Sequence, residues 1–175
     1  MKKYITLLVM AMALLTTTAN AQKKGESYVG GNLKVALSAS GSNGYMSTGT
    51  YFGIAPGFGH FIADNVKVGG EIAYEVSSNA HVIAISPNIA YYLPITNKLY
   101  YTPEVCIGGG VGIYSGYVAS IFSLTLNLAT FEYKPTESMG VAISLINLNY
   151  NLIDRTNSIN VNALYSPTVS FKYYF

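Results

Sequence analysis

Residues 66–76, VKVGGEIAYEV, decide the fold class. Val66, Val68, Ile72, Tyr74 and Val76 alternate with Lys67, Gly69, Glu71, Ala73 and Glu75. Successive side chains of a strand point to opposite faces, so this stretch has one apolar face and one face of charged and small residues.

The same period extends outward in both directions. Together with 66–76, strand-like alternation is predicted over residues 26–39, 50–62, 81–93, 99–114, 119–133, 139–151 and 159–175, with turn-rich breaks between them. A polar, Gly-rich loop (40–49) is expected after the first segment. Turns are expected at 63–65, 77–79, 94–98, 134–138 and 154–157. The seventh segment slips phase: Val141, Ile143 and Leu145 are followed by Ile146, Leu148 and Tyr150. One inserted residue flips every later side chain, so a bulge is expected near Ile146. In the last segment the alternation holds from Ile159 to Phe175.

These segments exceed the roughly 5 to 6 residues of an ordinary globular strand. They reach the roughly 9 to 11 needed to cross a bilayer on a tilt. A soluble sandwich or lipocalin-like barrel would turn its apolar face inward. Here the other face mixes Gly and Ala with Lys, Glu, Asn and Ser, a poor core but a workable polar lumen. The fold class expected is all-β: a transmembrane up-and-down antiparallel β-barrel of about eight strands.

Composition agrees. Charged residues are 10% of the chain and hydrophobic residues 50%, with 16 Tyr, 17 Gly and no Trp. A soluble domain carries roughly 25% charge. Tyr91, Tyr92, Tyr100, Tyr101, Tyr173 and Tyr174 fall at one set of strand ends, so an interfacial aromatic girdle is expected there. Cys106 is the only cysteine, which leaves no internal disulfide.

The N-terminus carries Lys2 and Lys3, an apolar run over 5–15, and the small residues Ala19-Asn20-Ala21. That is the pattern of a secretory signal peptide over 1–21 with cleavage after Ala21, leaving a barrel domain over 22–175. The apolar run is far short of the roughly 20 residues of a spanning helix. No Cys follows the cleavage site, so no lipoprotein anchor is expected. Without Lys2 and Lys3, basic and acidic residues are equal in number, and no basic patch points to nucleic acid.

The ending Phe171-Lys172-Tyr173-Tyr174-Phe175 resembles the C-terminal insertion signal of bacterial outer-membrane barrels, with Phe171, Tyr173 and Phe175 as its alternating members. The stretches 54–75 (IAPGFGHFIADNVKVGGEIAYE) and 85–112 (ISPNIAYYLPITNKLYYTPEVCIGGGVG) resemble hairpins of the small outer-membrane β-barrel family common in Bacteroidetes. The architecture is similar to the transmembrane domains of OmpX and OmpA. The resemblance implies export through the periplasm to the outer membrane of a Gram-negative cell. It also implies contact with outer-membrane lipid and lipopolysaccharide, and handling by the barrel-assembly machinery. Unlike OmpA, no peptidoglycan-binding domain is expected after the last strand. The family is functionally mixed.

Candidate chemistry is sparse. Gly108-Gly109-Gly110-Val111-Gly112 lacks the Lys-Ser/Thr of a phosphate loop and reads as a bare strand face across which rings can lie. His60 and His81 are expected near opposite membrane faces, with no Ser two residues on, so no Ser-His-acid set is expected. No metal-ligand spacing occurs, and no catalytic residue or cofactor is expected. The alternation instead points Lys34, Lys67, Glu71, Glu75, Glu104 and Lys172 inward. Buried charges require partners, and an eight-stranded interior is just wide enough for side chains to fill. A plugging ion-pair network is therefore expected, in which mid-strand Lys34, Glu71 and Glu104 can meet. The function expected is a non-enzymatic envelope-structural or surface-interaction barrel. The alternatives are a small porin for ions or solutes and a lipid A-acting enzyme.

Overall fold

The computed structural model describes residues 22–42, 45–77, 80–114, 116–153 and 156–175, except for the side chains at 36–49, 51 and 156–167. The signal segment, with Ala19 and Ala21, lies outside the described residues.

The strands are β1 (Ser27–Ser42), β2 (Tyr45–Ala63), β3 (Val66–Ser77), β4 (Ala80–Tyr91), β5 (Leu93–Pro94), β6 (Leu99–Tyr101), β7 (Glu104–Tyr114), β8 (Tyr117–Asn127), β9 (Thr130–Thr136), β10 (Met139–Ile153) and β11 (Thr156–Tyr174). All pairings are antiparallel. The chain is an up-and-down ring of eight crossings, because β4 with β5, β6 with β7, and β8 with β9 each make one crossing. The ring closes where β11 pairs with both β10 and β1. We call the end holding Ser27 and Phe175 the base and the opposite end the rim.

Asn65 makes the β2–β3 turn with φ 63°, a conformation that Asn tolerates. The expected polar loop over 40–49 is nearly all strand: β1 and β2 pair as far as Ser42↔Tyr45. The expected turn at 134–138 is narrower, since β9 continues through Thr136 and carries Lys134 into the interior.

Breaks in the ladders fall in one row across three neighbouring crossings, apart from shifts at Phe61/Ala63 and Met139/Val141 near the base. The β7–β8 ladder starts at Glu104↔Asn127, and β6–β9 resumes at Tyr101↔Phe131. Pro103 lies in that gap and has no N–H to donate. In β10 the register shifts between Ser144 and Ile146, at the expected bulge. The break at Leu128 and Ala129 reverses the phase of the sixth crossing. Phe122 and Leu128 face out on one parity, and Tyr133 faces out on the other with Glu132 and Lys134 inward. The β11 side of the β10 bulge carries a register irregularity which the alternation over 159–175 did not announce. The facing keeps its expected parity: Thr168 pairs with inward Ser144 and Asn162 with inward Asn147. Ser144 pairs with Thr168 but Ile146 pairs with Ala163, so four residues of β11 stand against one of β10.

The β1–β11 seam is zipped only at the base. Its pairs run from Tyr28↔Tyr174 to Lys34↔Thr168. Above that, β1 pairs only with β2 and β11 only with β10 among the described residues.

Outside the ring the surface is apolar: Phe58 and Ile85 are each 62% exposed, and Ile72, Ile107 and Phe171 are exposed beside them. The inner face holds Ala55, Ala73, Lys67, Thr102, Cys106 and Glu132, all buried. Polarity is thus reversed relative to a soluble domain.

Candidate functional site

Strand geometry sends neighbours to opposite faces, and this divides the tyrosine pairs that were expected to form one girdle. Tyr91 is 46% exposed on the outside while Tyr92 is fully buried inside. Tyr173 likewise faces out and Tyr174 in. The inward set joins Tyr28, Phe61, Ala90, Tyr92, Tyr100 and Tyr174 in one buried cluster at the base. Phe61 meets Tyr92 edge-on with ring centroids 4.9 Å apart, and Tyr28 lies 5.3 Å from Tyr174. Tyr28 lies across Gly59, where any Cβ would overlap its ring. At the rim, the Tyr114 ring likewise lies across Gly112 in the glycine run.

Charged groups are threaded through this cluster. Lys172 Nζ is 2.5 Å from Glu132 Oε2 and donates to Tyr92 Oη at 2.8 Å. Tyr92 donates to Glu132 Oε2 at 3.1 Å, and Tyr174 donates to the other Glu132 oxygen. Lys134 stands 3.6 Å from the centroid of the Tyr174 ring, pairs with Glu26 at 3.3 Å and donates to Gln22 Oε1 at 3.1 Å. Rings, hydroxyls and ions therefore fill the base together.

One layer above, Lys67 Nζ lies 2.5 Å from Glu104 Oε2 and 3.4 Å from Tyr28 Oη. Asn127 donates to the other Glu104 oxygen at 3.1 Å, and the Cys106 thiol donates to it at 3.2 Å. Higher still, Lys34 pairs with Glu75 at 3.1 Å. Glu71 accepts from the Asn32 amide, whose oxygen accepts from Ser170 at 2.5 Å. The structure thus brings Lys34, Lys67, Glu71, Glu75, Glu104 and Lys172 into one interior. Lys34, however, pairs with Glu75, two inward positions along β3 from the expected Glu71, and Glu104 takes Lys67.

Glu26, Glu132 and Lys134 were missed. Tyr133, flanked by Glu132 and Lys134, carried the signal, but the phase reversal at Leu128 and Ala129 hid it. Above the base the interior opens into a cavity of about 510 Å³, bounded by Tyr28 and Tyr92 below and reaching Tyr114 and Ile153.

On the outer face, His60 Nδ1 lies 2.9 Å from Ser27 Oγ near the base, a contact between β2 and β1 that sequence spacing did not reveal. His81 contacts Tyr74 Oη at 3.1 Å near the rim. Phe171, Tyr173 and Phe175 all face outward. The Phe175 N–H donates to Ser27 O at 2.9 Å and Phe175 O accepts from Ser27 N–H at 3.0 Å, which completes the zipped part of the seam.

No family model matches the chain, and no curated protein matches it. Among solved structures it is similar to Neisserial surface protein A, with 16% identity over 86% of this chain and 98% of that one, at a TM-score of 0.48. It is also similar to the outer-membrane protein OprG from Pseudomonas aeruginosa, with 14% identity over 90% of this chain and 99% of that one, at a TM-score of 0.48. A de novo designed transmembrane β-barrel is similar at 10% identity, covering 89% of this chain and 100% of the design, with a TM-score of 0.45.

Proposed function

We propose that this chain is an integral outer-membrane β-barrel that does not conduct and serves the envelope structurally or through surface interactions. The filled base is the observation that carries this reading. Phe61 and Tyr92 are fully buried there, and the Lys172–Glu132 pair is hydrogen-bonded to Tyr92 and Tyr174. An ion crossing the barrel would have to displace those rings and compete for a paired, desolvated carboxylate.

Membrane insertion rests on the reversed polarity. Contiguous apolar patches of more than a few hundred Å² are rare on soluble monomers. A closed ring with an apolar exterior satisfies its ladder groups within itself and meets lipid with side chains suited to it. Export through the periplasm, and contact with lipopolysaccharide and the assembly machinery, follow from that placement.

The barrel reconstituted in planar bilayers is expected to give background current. Sustained unitary currents would instead favour the small-porin reading. Among the described residues, the Ser27–His60 contact is the geometry on which a lipid-acting enzyme would stand. Lipid A from cells overproducing the protein is expected to keep its mass; a change lost on Ser27→Ala would overturn the non-enzymatic reading.

A further inference from the structure

Among the described residues the interior networks hold five glutamates against four lysines, a surplus of one negative charge. Of the five glutamates in the interior networks, Glu26, Glu75, Glu104 and Glu132 each hold a lysine. Glu71 has no lysine within ion-pair distance among the described residues: it accepts from the Asn32 amide, and Lys34 and Lys67 act on it only from farther off. It lines the cavity above the filled base.

Two further features surround it. Asn88 Oδ1, two positions along β4 from the Ser86 that pairs with Glu71, is buried and has no donor. Glu71 is thus an acceptor that lines the cavity, and the Asn88 oxygen is an enclosed one beside it. The neighbouring wall is also pared back. Gly57 pairs with Glu71 on β2, and Ser86 and Ser123 converge over Gly108, where a Cβ would stand 3.1 Å from Ser86 Oγ and closer still to Ser123 Oγ. Eight-stranded interiors are ordinarily filled by side chains. Here about 510 Å³ is left, within the range of small-molecule sites.

We propose that this cavity binds a small organic cation bearing several N–H groups, an alkylguanidinium or alkylammonium, with Glu71 as its counter-charge. A monocation neutralises the surplus charge, and its N–H groups supply donors to the Glu71 carboxylate. The filled base makes the rim the route of entry, so the site holds its ligand rather than passing it through.

The test is titration of the full barrel in nanodiscs with butylguanidinium and with neutral butylurea, followed by amide NMR shifts at Gly57, Gly70 and Gly108. Butylguanidinium is expected to shift these amides and to bind at least roughly tenfold more tightly than butylurea, the loss of about one charge interaction. Glu71→Gln is expected to weaken butylguanidinium to the level of butylurea, while Glu137→Gln, in the exposed β9–β10 turn, leaves it unchanged. Equal binding of the two probes, undiminished binding by Glu71→Gln, or no shift with either probe would overturn the proposal. The comparison of probes uses the unaltered protein, so it stands even if Glu71→Gln fails to insert.

Discussion

Lys172 on β11 reaches over β10 to Glu132 on β9, and the glycine beneath their contact is what lets it form. A Cβ at Gly140 would stand 2.6 Å from Glu132 Oε1 and 3.0 Å from the Tyr174 ring. Glu132 is wholly buried, so removing its partner strands a desolvated charge. Lys172→Met is expected to destabilise the barrel by about 3 to 5 kcal/mol, and adding Glu132→Leu should restore much of the loss. Urea unfolding in micelles measures both; a single variant as stable as the parent means that water already screens the pair.

The outward face predicts a sharp asymmetry. Ile107 is 50% exposed on the outside of β7, and Thr125, on the neighbouring β8, lines the cavity. Ile107→Arg is expected to cost about 2 to 4 kcal/mol in a bilayer, whereas Thr125→Ser should change stability little. Gly110, also on the inner face, is by contrast intolerant, because a Cβ there would overlap Ile83 O and crowd the Ala84 backbone. Matching folding yields for Ile107→Arg and Thr125→Ser in lipid vesicles would count against the assigned facing.

The half-zipped seam has a hydrogen-exchange signature. Amides bonded across the β1–β11 ladder between Tyr28 and Lys34 are expected to be protected as strongly as those of β3. From Val35 to Ser42 only the amides bonded to β2 should be protected, and those facing β11 should exchange fast. Uniform protection along β1 in nanodiscs would mean that the seam is closed in the membrane.

How much of this was legible in the sequence depended on parity. Residues 66–76 gave their facing correctly because β3 is unbroken: Lys67 and Ala73 are buried while Ile72 and Tyr74 are exposed. The bulge in β10 showed because Leu145 and Ile146 are both apolar and adjacent. The matching break in the sixth crossing put Leu128 beside Ala129, whose small side chain suits either face, so the reversal left no mark and Glu132 escaped notice. The tyrosine doublets misled for a related reason. A ring with a hydroxyl suits both an interface and a polar plug, and composition cannot separate the two when neighbouring tyrosines face opposite ways. Which lysine takes which glutamate depends on side-chain reach and stagger across the ring, which alternation does not encode.

The base cluster yields the most discriminating prediction. If Phe61 and Tyr92 are the barrier, then shortening both should join the cavity to the base and give measurable current. Phe61→Ala with Tyr92→Ala removes two fully buried rings 4.9 Å apart. Each truncation costs on the order of 3 to 5 kcal/mol, so this variant must first be shown to fold by its heat-modified gel mobility. Tyr92→Phe is the companion variant: it keeps the ring but removes the hydroxyl that accepts from Lys172 and donates to Glu132. It should lose roughly 1 to 3 kcal/mol of stability for the unsatisfied partners yet remain at background current. Steric closure therefore predicts current from the double alanine and none from Tyr92→Phe. If both conduct, the hydrogen-bonded charges rather than the rings hold the base shut. If a folded double alanine stays silent, Lys172, Glu132 and Tyr174 suffice to fill the opening by themselves.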